Sequence, residues 1–287
     1  MIIITSSKYL YMANKLHQFA TFIAFAKEHG VKIYNPSFTP YAENFACSDG
    51  NFLCAYPPGK KKLISIKKQQ LLYKILYKFA LIIDRLKVNT RFLKVCDIGW
   101  EAHCHLQSPE FIEMARKTRF LFVQGWHFQN VELVAKHAGE IRKFLAPQIK
   151  YSTKVNTFCG ALKADGALLI GVHIRHGDFK TFMGGRFFYE VEEYKKFMHQ
   201  IVNLFLGRKL RFMICSNASF KENEFESFDF TLGPGDAIED LFSLASCDFL
   251  IGPPSSFSMW ASFYGATPLS LLEKKDKNIT TNHFKNY

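Results

Sequence analysis

The stretch LLIGVHIRHGDF, Leu168 to Phe179, decides how this chain is read. Its first half is apolar almost without a break. Such a run, bounded by a polar turn that contains a glycine, predicts a short strand buried on both faces of a parallel sheet. His173, Arg175, His176 and Asp178 then crowd the end of that strand. In open parallel α/β sheets, ligands bind outside the carboxyl ends of the strands. Arg175 carries a planar fork of donors suited to a phosphate. An Arg175–Asp178 ion pair that only steadies the loop accounts for the same residues equally well. His173 and Asp178 either touch a ligand or hold the loop.

Working outward, the pattern repeats. After the key strand come a helix over Glu192–Leu206 closed by Gly207, a strand LRFMICS (Leu210–Ser216), and a helix over Ala237–Ser246. A strand DFLIGP (Asp248–Pro253) and a helix over Ser255–Tyr264 follow. In the first half, IIIT (Ile2–Thr5) reads as a strand. Asn14–His29 reads as a helix with Gly30 as its C-cap, and VKIYNP as a strand stopped by Pro36. Residues 40–62 read as loop. Lys67–Leu86 is a helix with Leu71, Leu72, Ile75, Leu76, Phe79, Ile82, Ile83 and Leu86 at helical spacing. FLFVQGW (Phe120–Trp126) is a strand and Val131–Leu145 a helix, after which Pro147 opens a linker. Strands alternating with helices predict an α/β fold: two Rossmann-like domains, 1–150 and 151–287, facing a cleft.

A second strand end deserves the same reading. In GPPSSFSMW (Gly252–Trp260), Ser255, Ser256 and Ser258 stand where a strand turns into a helix. They offer hydroxyls beside first-turn N–H groups, which is either an anion site or an ordinary N-cap. If this end and that of LLIGVHI are neighbours, one diphosphate can span both.

Composition narrows the classes. The 287 residues are 48% hydrophobic and 16% aromatic, which excludes a disordered chain. Net charge is +12, and Lys60–Lys94 holds eleven Lys and Arg against one acid, Asp84. Such a field attracts nucleotide phosphates, nucleic acid or anionic lipid. No helix-turn-helix, RNA-recognition or zinc-finger signature accompanies it, so no nucleic acid partner is expected. The basic helix either lies on an anionic membrane, bringing the chain to a lipid-linked substrate, or packs in the core with its lysines solvated.

Seven cysteines without CxxC spacing exclude a disulfide scaffold and a zinc ribbon, and point to a reducing compartment. MIIITSSKYLYM lacks a basic n-region, and no run reaches 18 apolar residues. The expected location is cytoplasmic, peripheral to the inner face of the membrane if the basic segment binds lipid.

CDIGWEAHCHLQ gathers Cys96, Asp97, Glu101, His103, Cys104 and His105, but without a second pair at metal spacing. No metal is expected there; Trp100 reads better as an aromatic that stacks on a bound ligand. FMGGRFFYE (Phe182–Glu190) reads as a surface loop, or as one that covers the site.

GVHIRHGDF resembles the HxRRxD motif of the α1,2-, α1,6- and protein O-fucosyltransferase superfamily, and is closest to the α1,2-fucosyltransferase family. Four other segments resemble family blocks in the same order. ANKLHQFATFIAFAKEHGVKI is similar to the family's GNQMFQYA helix, with Asn14, Gln18 and Ala20 in register. VQGWHFQNVELVAKHAGEIRKFL is similar to its GYFQS…IR stretch. FMICSNAS takes the place of its SDD strand, and DLFSLASCDFLIGPPSSFSMWASFYG that of its NSTFSWWGA block. There are departures: His176 replaces the second arginine, YMAN replaces the N-terminal glycines, Ser216, Asn217 and Ala218 replace the SDD residues, and Met259 replaces a tryptophan.

The resemblance implies a GT-B architecture and inverting, metal-independent transfer of L-fucose from GDP-fucose to a glycan hydroxyl, with no cofactor. It implies that Arg175 holds the β-phosphate and His173 lines the nucleotide site. Asp240 would accept from guanine N–H groups, and Ser255, Ser256 and Phe257 would meet the diphosphate. Asn14 would face the donor–acceptor cleft. Asp178, Glu190 and Glu101 are candidate bases for the acceptor proton. Use of another nucleotide sugar, and an inert nucleotide- or glycan-binding relative, stay open.

Overall fold

In the computed structural model, which describes every residue except 6–9, 60–63, 100–101 and the side chain of residue 222, the alternating elements close into two units, Met1–Gln148 and Ile149–Tyr287.

The first unit runs β1 (Ile2–Ile4), α1 (Met12–His29), β2 (Ile33–Tyr34), α2 (Ile66–Arg85), β3 (Leu93–Asp97) and β4 (His103–His105). It continues through α3 (Pro109–Lys117), β5 (Phe120–Gln124), β6 (His127–Gln129), α4 (Val131–Lys136) and α5 (Ala138–Phe144). Its main sheet is parallel in the order β2-β1-β5-β3, and β4 and β6 pair separately. α1 is buried nearly all round, with Phe19, Phe22 and Phe25 fully covered. It ends as the sequence predicts: Gly30 adopts φ 63°, and its N–H donates to the Ala26 carbonyl.

Three expectations change here. Residues read as loop are wound into 3₁₀ turns between Pro36 and Cys54. Small polar side chains close these turns: the Thr39 hydroxyl donates to Pro36 O at 2.7 Å, and Asn51 Nδ2 to Cys47 O and Ala55 O, each at 2.9 Å. The helix read over Val131–Leu145 is two, because His137 leaves helical geometry at φ −105°, ψ 16°. Its ring lies 2.9 Å from Glu28 Oε2 on α1. Finally, α2 does not bury the whole apolar set. Gln69, Tyr73, Ala80 and Ile83 turn inward, Ala80 packing on Ile3 and Phe122 of the sheet. Leu71, Ile75, Phe79, Ile82 and Leu86 stay exposed.

The second unit runs α6 (Ile149–Lys163), β7 (Leu168–Ile174), α7 (Val191–Leu204), β8 (Leu210–Ser216), β9 (Phe230–Leu232), α8 (Ala237–Ala245), β10 (Phe249–Gly252), α9 (Ser256–Gly265) and β11 (Leu269–Leu271). The sheet is parallel in the order β11-β10-β7-β8-β9. β7 is central and covered on both faces, as its apolar run predicts. Ile170, Val172 and Ile174 join Phe197, Met198 and Ile201 of α7 in one core. The alternate residues face the other way: a Cβ on Gly171 would lie 2.9 Å from Leu244 Cδ2 of α8. The chain leaves β7 toward β8 and β9, then returns to β7's other side as β10. The carboxyl ends of β7 and β10 therefore flank a topological switch point, where such sheets bind ligands.

Among the described residues no helix is long and apolar enough to cross a membrane.

Candidate functional site

The two strand ends picked out in the sequence are neighbours, since β7 and β10 pair from Phe249 opposite Ile170 to Ile251 opposite Val172. His173 stands near the end of β7 and is 4% exposed. Its ring lies tilted against Phe257 of α9, centroids 5.1 Å apart and planes at 33°. Gly252 permits this close approach, because a Cβ there would come 3.0 Å from His173 Cβ. Burial, reinforced by the Arg175 charge, pushes the His173 imidazole down to about 3, so the ring is neutral at ordinary pH. A neutral imidazole offers one donor and one acceptor nitrogen. Nδ1 has no hydrogen-bond partner among the described residues.

Arg175 leaves the strand and is 24% exposed at its side chain. Its Nε and Nη2 donate to Asp178 Oδ1 and Oδ2, both at 3.0 Å, and the guanidinium lies 5.6 Å from the Phe179 ring centre. The loop-steadying ion pair of the sequence reading is thus present. It sits at the mouth of the loop, with Asp178 48% exposed. A phosphate approaching there competes with a solvated carboxylate for the same fork of donors.

His176, at the position of the second motif arginine, is occupied otherwise. Its ring lies 2.9 Å from Tyr189 O, packs on Phe188, and its backbone N–H donates to Asn217 Oδ1 at 2.8 Å. Asn217 is a residue whose role the sequence reading missed. It stands just past the end of β8 and ties that strand to the loop after β7, with Nδ2 3.4 Å from His176 O. Gly177 adopts φ +55° beneath it, and a Cβ there would lie 3.0 Å from Asn217 Nδ2. The signal available in the sequence was its place at the end of the adjacent strand.

At the end of β10, Ser255 is an N-cap, its Oγ accepting from Phe257 N at 3.3 Å. The Ser258 hydroxyl is buried and donates to Ser255 O at 3.2 Å. Ser256 opens α9, so the helix start faces the same edge of the sheet as His173. Asp240, on the first turns of α8, is buried and accepts from Gly235 N at 2.9 Å. Burial raises its carboxyl above the usual carboxylate range. Gly233 makes room for it, since a Cβ there would meet Asp240 Oδ1 at 2.7 Å. Cys215, which pairs in register with His173, places Sγ 3.9 Å from Asp240 O. His173, Arg175, Asp240, Ser255, Ser256 and Phe257 therefore gather at the carboxyl edge of one sheet.

Asn14 is half-buried on the first turn of α1, in the first unit. Gln18 of the same helix is structural: its Nε2 donates to Gly125 O at 2.8 Å. The sequence reading also missed Lys15, 2% exposed, whose Nζ donates to Ser37 O at 2.9 Å and lies 5.5 Å from the Tyr73 ring centre. Burial pushes it down to about 8. A cavity of about 570 Å³ opens in this unit beside Tyr56, Glu140 and Phe144, and no sequence-predicted site residue lines it.

Among the other candidates, Glu190 is used as the cap of α7, and the neighbouring Cys104 together with burial pushes the Cys96 thiol up. Trp100 and Glu101 lie outside the described residues. Among the described residues no three His, Cys, Asp or Glu side chains gather as a metal site.

Solved structures share this fold. A mutant of Arabidopsis thaliana FUT1 in complex with GDP superposes with a TM-score of 0.60 at 12% identity, covering 98% of this chain and 72% of that one. NodZ α1,6-fucosyltransferase soaked with GDP-fucose gives 0.55 at 14% identity over 93% of each chain. NodZ from Bradyrhizobium gives 0.56 at 13% identity over 96% of each. At these identities the likeness is one of fold. No curated protein matches the sequence. The model of glycosyl transferase family 11 matches residues 64–278, well over half of the chain, including β7, the Arg175 loop and the start of α9. The chain belongs to glycosyl transferase family 11.

Proposed function

We propose that the protein is an inverting fucosyltransferase that transfers L-fucose from GDP-fucose to a hydroxyl of a glycan without a metal ion or cofactor. The observation that carries this reading is the convergence, at one topological switch point, of the Arg175 fork, the neutral His173 ring and the start of α9. Membership of the family supports it. So does the likeness to a GDP complex and to an α1,6-fucosyltransferase soaked with GDP-fucose. The GT-B arrangement of the two units, and a donor–acceptor cleft reached by Asn14, belong to the same proposal.

In the proposed reaction the bond from the sugar C1 to the β-phosphate oxygen breaks, and GDP leaves with the bonding pair. Negative charge grows on the β-phosphate as the sugar becomes oxocarbenium-like. Stabilising that charge needs donors fixed in place before it appears. Arg175 supplies two charged donors when it turns from Asp178 to the phosphate. The start of α9, with Ser255, Ser256 and the Phe257 N–H, faces the same group. His173 contacts the nucleotide through a ring that brings no positive charge of its own. Asp240, kept buried by Gly233 and Gly235, accepts from guanine N–H groups.

The acceptor hydroxyl attacks C1 from the opposite face and gives up its proton. Asp178, freed when Arg175 turns, takes that proton directly or through water. Glu190 is a poor base because its carboxylate is committed to its capping box.

Turnover of a panel of sugar nucleotides in EDTA tests the reading. GDP-fucose is expected to be consumed fastest by the unmodified protein and not measurably by Arg175→Ala. Full activity of that variant, or preference for a UDP or CMP donor, would overturn the reading.

A further inference from the structure

The surface of α2 carries an arrangement that nothing in the donor site uses. Its outer face is apolar: Leu71, Ile75, Ile82 and Leu86 are 59%, 56%, 57% and 67% exposed, while Phe79 at the margin leans on the Phe122 ring of the sheet, centroids 5.8 Å apart. At 3.6 residues per turn these four outward side chains fall in one stripe about 60° wide. Lys67, Lys74, Lys78 and Arg85 recur along the same helix and fall in a band about 40° wide along one edge of it. Lys68 joins the stripe at its first turn. Among the described residues none of these five cations forms an ion pair, and Asp84 is the only acid in the helix. The inner face is separately satisfied, through Tyr73, Ala80 and Ile83. The outer stripe is therefore a second apolar face on a helix that already has its core contacts.

An exposed apolar stripe of this length needs a reason, since scattered surface leucines do not line up over four turns. Coverage by another protein chain favours a seam with charges of both signs beside it. Here the edge carries cations only, and Lys87, Arg91 and Lys94 extend the same sign beyond the helix. A row of unpaired cations alongside an apolar stripe matches the boundary of an anionic bilayer. There the side chains enter the acyl region while lysine and arginine stems reach to the headgroups.

We infer that α2 is an in-plane membrane anchor that seats this protein on an anionic lipid surface, apolar stripe inward and Lys67, Lys74, Lys78 and Arg85 against the phosphates. This does not depend on the identity of the donor. It gives a reason for an acceptor carried on a lipid: the enzyme would be held in the plane where that glycan is displayed.

Flotation with vesicles of phosphatidylcholine, with and without phosphatidylglycerol, tests it on the full chain. The unmodified protein is expected to float with phosphatidylglycerol vesicles at low salt and to stay behind with phosphatidylcholine alone. Lys74→Gln with Lys78→Gln should weaken partitioning by about thirty-fold, from the attraction per basic residue near such a surface. Ile75→Gln with Ile82→Gln should weaken it by at least about tenfold while the cations remain. All four positions are solvent-facing, so both variants should melt with the parent, and their GDP affinity should match it.

Binding that persists unchanged in both variants overturns the proposal, as does an absence of binding to anionic vesicles at low salt. A concentration-dependent dimer that the Ile75 and Ile82 changes dissolve, without vesicle binding, would assign the stripe to a second copy of the chain instead.

Discussion

His173 makes a prediction that acid pH can read out. Its imidazole is held near 3 by burial and by Arg175, against an ordinary value of 6.5. Folding therefore excludes a proton that the unfolded chain binds between those values. A group depressed in this way contributes full stability above about pH 6.5, and loses it progressively as pH falls toward 3. Integrating the two titrations from pH 7 to pH 5 gives a loss of about 2 kcal/mol from this one side chain.

Glu28, Glu113 and Glu140, lowered by hydrogen bonds to their partners, share this sign but act mainly at the acid end of the window and equally in parent and variant. Asp165, held down to about 2 by Lys209, the Ala167 N–H and Arg211, makes its contribution at lower pH. The raised Asp240 carboxyl acts in the opposite direction. His127, lowered by burial and by His103, acts in the same direction.

The assay is urea unfolding at pH 7 and pH 5 of the unmodified protein and of His173→Gln. The variant loses packing on Phe257 and so starts less stable. Its loss on acidification should nonetheless be smaller than the parent's by about 2 kcal/mol. Equal losses in the two proteins would refute the argument, as would a His173 ring that titrates near 6.5 in the folded protein.

Other outcomes follow from the same geometry. Arg175→Ala should cost under about 1 kcal/mol of stability, because its partner is half exposed. It should weaken GDP binding by roughly ten- to a hundred-fold, the worth of a charged hydrogen bond; calorimetric titration and urea unfolding of the same variant separate the two effects. Ser255→Ala removes the α9 cap and should lower stability by about 1 kcal/mol, seen in urea midpoints. Gly171→Ala forces a methyl into Leu250 of β10 and Leu244 of α8 and should cost about 1–3 kcal/mol by the same measurement.

Legibility followed the length and apolarity of the elements. β7, β8 and β10 carry near-continuous apolar runs, and the helices between them show clear periodicity, so their order was readable. β4 and β6 are three-residue pairs, His-Cys-His and His-Phe-Gln, with no alternation to detect. α6 was missed because its buried set is thin, essentially Val155 and Cys159, and Pro147 read as the start of a linker.

In the site, Arg175 and Ser255 were visible because motif chemistry and strand ends coincide there. Whether Arg175 pairs with Asp178 is a matter of rotamers, which sequence does not encode. Asn217 accepts from the His176 backbone N–H and Lys15 donates to the Ser37 carbonyl, both on loops brought from afar, so no local spacing announced them. In α2 the apolar count was right. The division of those residues between the sheet and the surface became visible only when Ala80 was seen on Phe122.

The central claim is that Arg175 and its neighbours form a guanine nucleotide diphosphate site that works without a metal. Calorimetric titration of the unmodified protein with GDP, UDP and CMP, with EDTA in both cell and syringe, tests it most directly. Saturable binding of GDP at one site is expected, at least about tenfold tighter than UDP or CMP because Asp240 selects guanine. Equal affinities for the three nucleotides, or no saturable GDP binding until magnesium is added, would contradict it.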